Sequence, residues 1–403
     1  MEVVNSETER GFDALRSGKA LGVIQEVRRL LAEEGALQEE DQETVRLLGD
    51  LTDRGVKLVD NLLKKRSERQ IAEQSLPLPP ASIEGMEVRK AVPLDLSKAV
   101  IITKETKVEY EMRTEGRTFE EVEARIRKGG DALCGRLESH SRHIQRKREL
   151  EDFFAPEQFV TLSEENREKI NNASIAISWG GDDHLSAVAQ YVSGKTPVLA
   201  INSDPEKSFG ALLNHTHDQF RTLVTSLERG EYVFEPWTRL SVELNGKMLS
   251  PALGLVMFAE EKRKYLSRNL IKISGRSTQD PEGRETEQKS SGLLISTGVG
   301  STSWYRGAAQ YLYPQGDVFP RTSRVARLVL TEPSYTVIRK DGTRGASEVM
   351  HGSVFDGEEI EIKSLNKDHG ILTIDSIADY TFKAGSEAKV SLSKEPLWIV
   401  KVI

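Results

Sequence analysis

Two segments of the chain join glycines to side chains suited to phosphate chemistry. The first is Ser174-Ile-Ala-Ile-Ser-Trp-Gly-Gly-Asp-Asp183, an apolar run that ends in two glycines and two aspartates. Gly180 and Gly181 let the backbone approach a ligand, and the amides of a following helix, expected from His184, can face phosphate. Asp182 beside that phosphate can orient or deprotonate an attacking hydroxyl. An ordinary strand-to-helix turn has the same composition, so this segment alone leaves both readings open. The second segment is Gln288-Lys-Ser-Ser-Gly-Leu-Leu-Ile-Ser-Thr-Gly-Val-Gly-Ser-Thr-Ser-Trp304. Gly298 and Gly300 give backbone access, Ser301 and Thr302 offer hydroxyls to sugar or phosphate oxygens, and the Trp304 indole suits a base. A plain turn is again the alternative.

Lesser clusters have simpler readings. His215 and His217 stand two apart with no third ligand nearby, so Thr216 reads as a helix N-cap in preference to a metal site. Arg136, His140, Arg142, His143, Arg146, Lys147 and Arg148 form a basic helical stretch, read as a solvated face with contact to phosphate as the alternative. Cys134 reads as a buried small residue.

The elements that must hold these segments follow from periodicity. Apolar residues at Val23, Val27, Leu30 and Leu31, and again from Val45 to Leu63, predict a helical extension over 1–75. Leu76-Pro-Leu-Pro-Pro80 breaks it, making 76–95 a linker. Short apolar runs at 99–102, 175–177 and 198–201 alternate with helical patterns at 119–128, 132–149 and 185–192. That alternation predicts an α/β domain with a parallel sheet over 96–233, its ligand site at the carboxyl ends of the strands. From 234 to 403 the texture is β-rich, with Asn245-Gly246 as a hairpin turn, and the last segment is free to return to the α/β domain.

Composition narrows the class. The 403 residues carry 56 Lys and Arg against 63 Asp and Glu, a net charge of −7. That balance gives no general attraction to nucleic acid or to anionic membrane. No apolar run approaches the roughly 20 residues that cross a bilayer. With one cysteine and an acidic start that resembles neither a secretory signal nor a transit peptide, a reducing cytoplasm is the expected location.

In this order and separation the two segments resemble the NAD kinase family. Pro197-Val-Leu-Ala-Ile-Asn-Ser-Asp-Pro-Glu-Lys-Ser-Phe-Gly210 is similar to the strand and loop that follow the family's Gly-Gly-Asp helix. Asn202-Ser-Asp-Pro, Lys289-Ser-Ser-Gly292 and Thr103-Lys-Glu-Thr-Lys-Val-Glu-Tyr110 are similar to its mitochondrial-type branch. The likeness covers roughly residues 99 to 403. It implies an α/β domain followed by a β-sandwich-like domain, with ATP- and Mg²⁺-dependent (or Mn²⁺-dependent) phosphorylation of the 2′-hydroxyl of NAD. It implies Asp182 as the general base. Gly180, Gly181, Asp183, Asn202, Asp204, Lys289, Thr297, Gly298, Gly300, Ser301, Thr302, Ser303 and Trp304 would form the nucleotide site. A homodimer or homotetramer is implied as well.

The chain departs from the family pattern at two places. Asp183 replaces the last glycine of Gly-Gly-Asp-Gly, and a carboxylate about 5 Å from a phosphate charge is repelled by ~3 kcal/mol at an effective dielectric near 20. A Mg²⁺ between them reverses the sign, so Asp183 is a candidate metal ligand, or else pairs with His184. Gly254 and Leu255 stand where the family carries an Asn-Glu pair that contacts NAD. Three functions follow: an NAD kinase, a kinase of this fold for a lipid, sugar or nucleoside acceptor, and a nucleotide sensor without turnover.

Overall fold

Apolar runs of three or four residues cannot leave either face in water, and here they form a parallel sheet covered by helices on both sides. The computed structural model describes residues 91–402 except 263, 275–284, 315, 335–336, 339–343 and 346–348. The side chains of 131–134 also lie outside the description, so the expectations for the N-terminal helices, the linker up to residue 90 and the Cys134 side chain do too. All described residues belong to the unit Leu78–Ile403.

In the first sheet, β1 (Val100–Thr103), β2 (Ala176–Gly180) and β3 (Val198–Asn202) run parallel, and β4 (His215–Thr216) pairs beside β3. The antiparallel edge strand β5 (Tyr232–Trp237) does not touch β3. Between them lies β6 (Leu397–Val402), the last strand of the chain, parallel to β3 and antiparallel to β5.

The seven helices described are α1 (Lys107–Glu115), α2 (Phe119–Lys128), α3 (Asp131–Glu151), α4 (Arg167–Asn171), α5 (Asp182–Tyr191), α6 (Phe220–Arg229) and α7 (Trp304–Ala309). Thr106 with Glu109 and Thr118 with Glu121 form capping boxes that satisfy the first amides of α1 and α2. Val100, Ala176, Val198 and Ile399 pack on Leu185, Val188 and Ala189 of α5. On the other face Ile101, Ile177, Leu199 and Val400 meet Leu150 of α3 and Leu223, Val224 and Leu227 of α6.

Apart from a small two-stranded sheet of Val337–Ile338 and Arg344–Gly345, the β-rich part is two six-stranded antiparallel sheets. One runs Thr286–Ser290, Ser267–Ser274, Glu359–Ser364, Glu387–Leu392, Leu240–Leu244 and Lys247–Met248; the other runs His351–Phe355, Val325–Thr331, Gly292–Ser296, Leu255–Glu260, Gly370–Ile374 and Ala378–Thr381. Val242, Ile360 and Val390 of the first share one apolar cluster with Phe258, Leu293, Leu328 and Leu372 of the second, which makes a sandwich. Asn245 and Gly246, at φ 50° and 78°, supply the left-handed pair that a tight hairpin needs.

Two details differ from the sequence pattern. Helix α5 begins at Asp182, two residues before His184, so both aspartates sit in its first turn, where carboxylates favour the helix dipole. The basic stretch on α3 is not a solvated face. Arg142 is bonded to Asp204 at 3.0 Å, and Arg146 donates to the Ser203 carbonyl at 2.9 Å and pairs with Glu206. His215 and His217 are structural: His217 meets Trp179 Nε1 at 3.3 Å and Glu149 at 3.1 Å, and His215 accepts from the Val402 amide. Thr216 is the N-cap of the short helical turn that follows.

Candidate functional site

The parallel strands β1, β2 and β3 end side by side, and the residues that follow them open a cavity of about 780 Å³. Lys104 follows β1, Gly181, Asp182, Asp183 and His184 follow β2, and Asp204, Lys207 and Ser208 follow β3. Glu105, Thr106 and Lys107 at the start of α1, and Gly135, Arg136, Ser139 and His140 from α3, complete the wall. A cleft at the carboxyl edge of a parallel sheet, where Lys104, Lys107, Arg136 and Lys207 and a helix N-terminus meet four carboxylates, suits an anionic ligand whose phosphates the cations can hold.

Gly180 has a packing reason that the sequence did not show. A Cβ there would lie 2.5 Å from the His184 ring, which sits against the strand with Nε2 2.9 Å from the Ile102 carbonyl. Burial pushes the His184 imidazole down to about 4, so the ring is neutral near pH 7, donates from Nε2, and is turned away from any pairing with Asp183. His143 lies below, 1% exposed, its ring 4.5 Å from that of Trp179. Burial first, then Lys104 and Lys147, lower it to about 3. Lys104 is itself half-buried, with its pKa lowered by desolvation, and only the Coulomb field of Asp204 opposes that shift. No described side chain forms an ion pair or hydrogen bond with its ammonium, so the cleft holds a cation that an incoming anion would neutralise.

Asp182 is held rigidly. Its two carboxylate oxygens accept from the Ala211 and Leu212 amides, each at 2.9 Å. Those amides are presented by the turn at Gly210, whose φ of 61° calls for glycine. Asp183, next on the helix, is exposed on the cavity rim. Asn202 and Asp204 build the loop after β3. Asn202 donates to the Ser208 carbonyl and accepts from the Asp204 amide, and Asp204, 1% exposed, is gripped by Ser139 and Arg142.

The Gly-Ser-Thr segment packs mainly on protein. A Cβ at Gly298 would lie 2.1 Å from the Pro320 carbonyl oxygen, and one at Gly300 would lie 2.3 Å from that of Gly254. These glycines therefore admit neighbouring backbone. The Thr297 hydroxyl donates to the Leu253 carbonyl, and Ser301, Thr302 and Ser303 donate to carbonyls of their own loop. What remains for a ligand is their lone pairs and the Trp304 indole, 48% exposed at the start of α7. Lys289 sits opposite Arg268 in the sandwich and does not line the cavity.

At the second departure from the family pattern the vacancy is filled from within. The amides of Leu253, Gly254 and Leu255 all donate to the buried carboxylate of Asp375, at 2.7, 2.7 and 2.9 Å. Burial pushes that carboxyl up to about 6 against these three bonds. The Leu255 side chain packs with Leu294, Tyr305 and Val329. No local pattern marks Asp375, nor Arg321, which donates to the Ala211 carbonyl across a separation of 110 residues.

An α/β layer with an anion-fitting cleft at its carboxyl edge, followed by a β-sandwich, is the architecture and site that define the class. Comparison with known proteins is consistent with it. No family model matches the chain. Over 250 residues, 58% of this chain and 72% of the relative, it is 26% identical to a probable NADH kinase of Oryza sativa. Over 252 residues, 52% of this chain, it is 25% identical to the mitochondrial NAD kinase 2 of Rattus norvegicus, of which the match spans 59%. A yeast NADH kinase structure complexed with NADH aligns over 60% of this chain and 66% of its own, at 16% identity and a TM-score of 0.47. Over just more than half of its length the chain is similar to NAD and NADH kinases.

Proposed function

We propose that this protein transfers a phosphoryl group from ATP to a hydroxyl, with the 2′-hydroxyl of NAD or NADH as acceptor. Likeness to the NAD and NADH kinases supports the reaction class, and the observation that carries the reading is the cleft itself. Its lining includes a carboxylate at a helix N-terminus, Asp182, and the desolvated Lys104, whose ammonium no described side chain pairs with. Asp182 would accept the hydroxyl proton, its direction fixed by two amides. Lys104, Lys107, Arg136 and Lys207 would meet phosphate oxygens. Asp183 fits a hard divalent cation, since Mg²⁺ is commonly held by one or two carboxylates plus substrate phosphates. Such an ion would neutralise the phosphate charge there. Among the described residues no group of three or more metal-ligating side chains occurs, so phosphate would supply the remaining ligands.

The test is incubation with ATP, Mg²⁺ or Mn²⁺, and NAD or NADH, with product detection. Asp182→Asn is expected to cost about 10²- to 10⁴-fold in rate, the usual worth of a positioned general base. Wild-type protein that yields no phosphorylated dinucleotide with either metal ends the NAD reading. A different acceptor is the second reading, and it is favoured because Gly254 and Leu255 carry no polar side chain and their amides are already taken by Asp375. ATP consumption against lipid, sugar and nucleoside acceptors separates the two. A cytoplasmic homodimer or homotetramer belongs to the same proposal, to be checked by fractionation and light scattering. No helix among the described residues is long and apolar enough to cross a membrane.

A further inference from the structure

Arg321 lies outside the cavity and outside both motif segments, yet it touches the turn that holds Asp182 and the glycine loop at Gly298. Its Nη2 donates to the Ala211 carbonyl at 2.5 Å, and the Ala211 amide is one of the two that hold Asp182. Its guanidinium carbon lies 4.6 Å from the centroid of the Trp237 ring, a fully buried side chain whose Nε1 donates to Glu235. Its backbone carbonyl accepts from the Thr238 amide at 2.9 Å. On the other side, Pro320 and Arg321 press against Gly298, where an added Cβ would lie 2.9 Å from the Arg321 Cα. Leu212, Trp237, Leu253 and Val299 share one buried cluster beneath this junction.

A loop that presents two amides to a carboxylate is only as directional as its own anchorage. Gly210 gives the turn its left-handed geometry and no side chain to pin it. Of the Ala211 backbone, the amide serves Asp182 and the carbonyl serves Arg321, so the arginine fixes the peptide from outside. A planar guanidinium stacked on an indole face is pre-organised for this, with little rotamer freedom left to lose. It also places positive charge near Asp182 and Glu235, both of which act on Arg321 electrostatically.

We propose that Arg321 is the positioning residue of Asp182. Acting through Ala211, it sets the direction of the carboxylate and ties it to the loop at Gly298. This rests on the reading of Asp182 as the base, and the test is built so that the two fail separately. The first measurement is amide hydrogen exchange on wild type and Arg321→Met, which needs no turnover. Ala211 and Leu212 are expected to lose protection about tenfold or more, while β2 and β3 keep theirs. Unchanged protection at both amides overturns the proposal. Loss spread over β2 and β3 also overturns it, by making Arg321 a general structural support.

The second measurement is turnover. In Arg321→Met, kcat is expected to fall about 10²-fold, with KM for donor and acceptor nearly unchanged, as for a small misplacement of a reacting group. Arg321→Lys keeps the charge and one donor, and is expected to recover about tenfold of that loss. An unchanged kcat, or a loss confined to KM, overturns the proposal. If wild type turns over none of the acceptors, the enzymatic reading falls, and the exchange result alone decides whether Arg321 positions the carboxylate.

Discussion

A methyl group distinguishes the two glycines before Asp182. At Gly180 a Cβ would meet the imidazole of His184 at 2.5–2.6 Å, whereas at Gly181 it meets only the Ser208 hydroxyl at 3.4 Å. Gly180→Ala is therefore expected to lower stability by about 1–3 kcal/mol, the usual range for overpacking, and Gly181→Ala to change it little. Thermal unfolding of the pair checks this, and equal shifts would disprove the packing role of Gly180. The Gly-Gly-Asp pattern was legible because strand, glycines and helix are contiguous. The reason for the first glycine was not, since it depends on where His184 turns. Asp375 and Arg321 were hidden for a related cause: their partners lie about 120 and 110 residues away, and no local spacing encodes such a contact.

At the scale of elements, the meeting of α3, β1 and α5 buries two imidazoles that the cleft does not use. His143 is held near 3 and His184 near 4, well below the ordinary value of 6.5. The unfolded chain then binds more protons than the folded one between those values and 6.5. Stability is present above pH 6.5 and is lost as pH falls toward 3, by up to ~1.4 kcal/mol per pH unit for each ring. Asp375, raised to about 6, acts with opposite sign: its burial costs stability as pH rises from 3.8 to 6. The histidine contribution is therefore isolated with a variant. Between pH 6.5 and 5, His143→Phe is expected to gain about 2 kcal/mol on wild type by denaturant titration. Parallel pH curves for the two proteins would sink the idea. The sequence placed these helices well, matching α2 at both ends and α3 within two residues, because their apolar periods and caps are local. It read the basic face of α3 as solvated because nothing local announces that Asp204 and Glu206 will dock against it.

For the whole molecule, the strand Leu397–Val402 joins β5 to the parallel strands of the first sheet. Leu397, Ile399 and Val400 are fully buried in it, and each such side chain contributes about 1.5–3 kcal/mol against a total domain stability of about 5–15. A chain ending at Pro396 is expected to lose cooperative unfolding and to be cleaved readily in limited proteolysis. If it melted like the full chain, β6 would have to be dispensable. The sequence allowed this return of the last segment without fixing its neighbours, since an apolar hexapeptide fits any buried strand position. The β-sandwich was more legible, because alternating strands and the Asn245-Gly246 turn mark hairpins locally.

The position of that strand also sets a timetable for synthesis. About 195 residues separate the end of β3 from the start of β6, which at ribosomal rates of about 5–20 residues per second is roughly 10–40 s. Throughout that interval the edge of β3 facing β6 lacks its partner, and β5 has no neighbour in the sheet. The emerging polypeptide thus carries an open apolar strand edge until Leu397–Val402 has left the ribosome. Demand for chaperone cover should last until that strand emerges, and a stop at any codon between β3 and Leu397 leaves the edge unsealed.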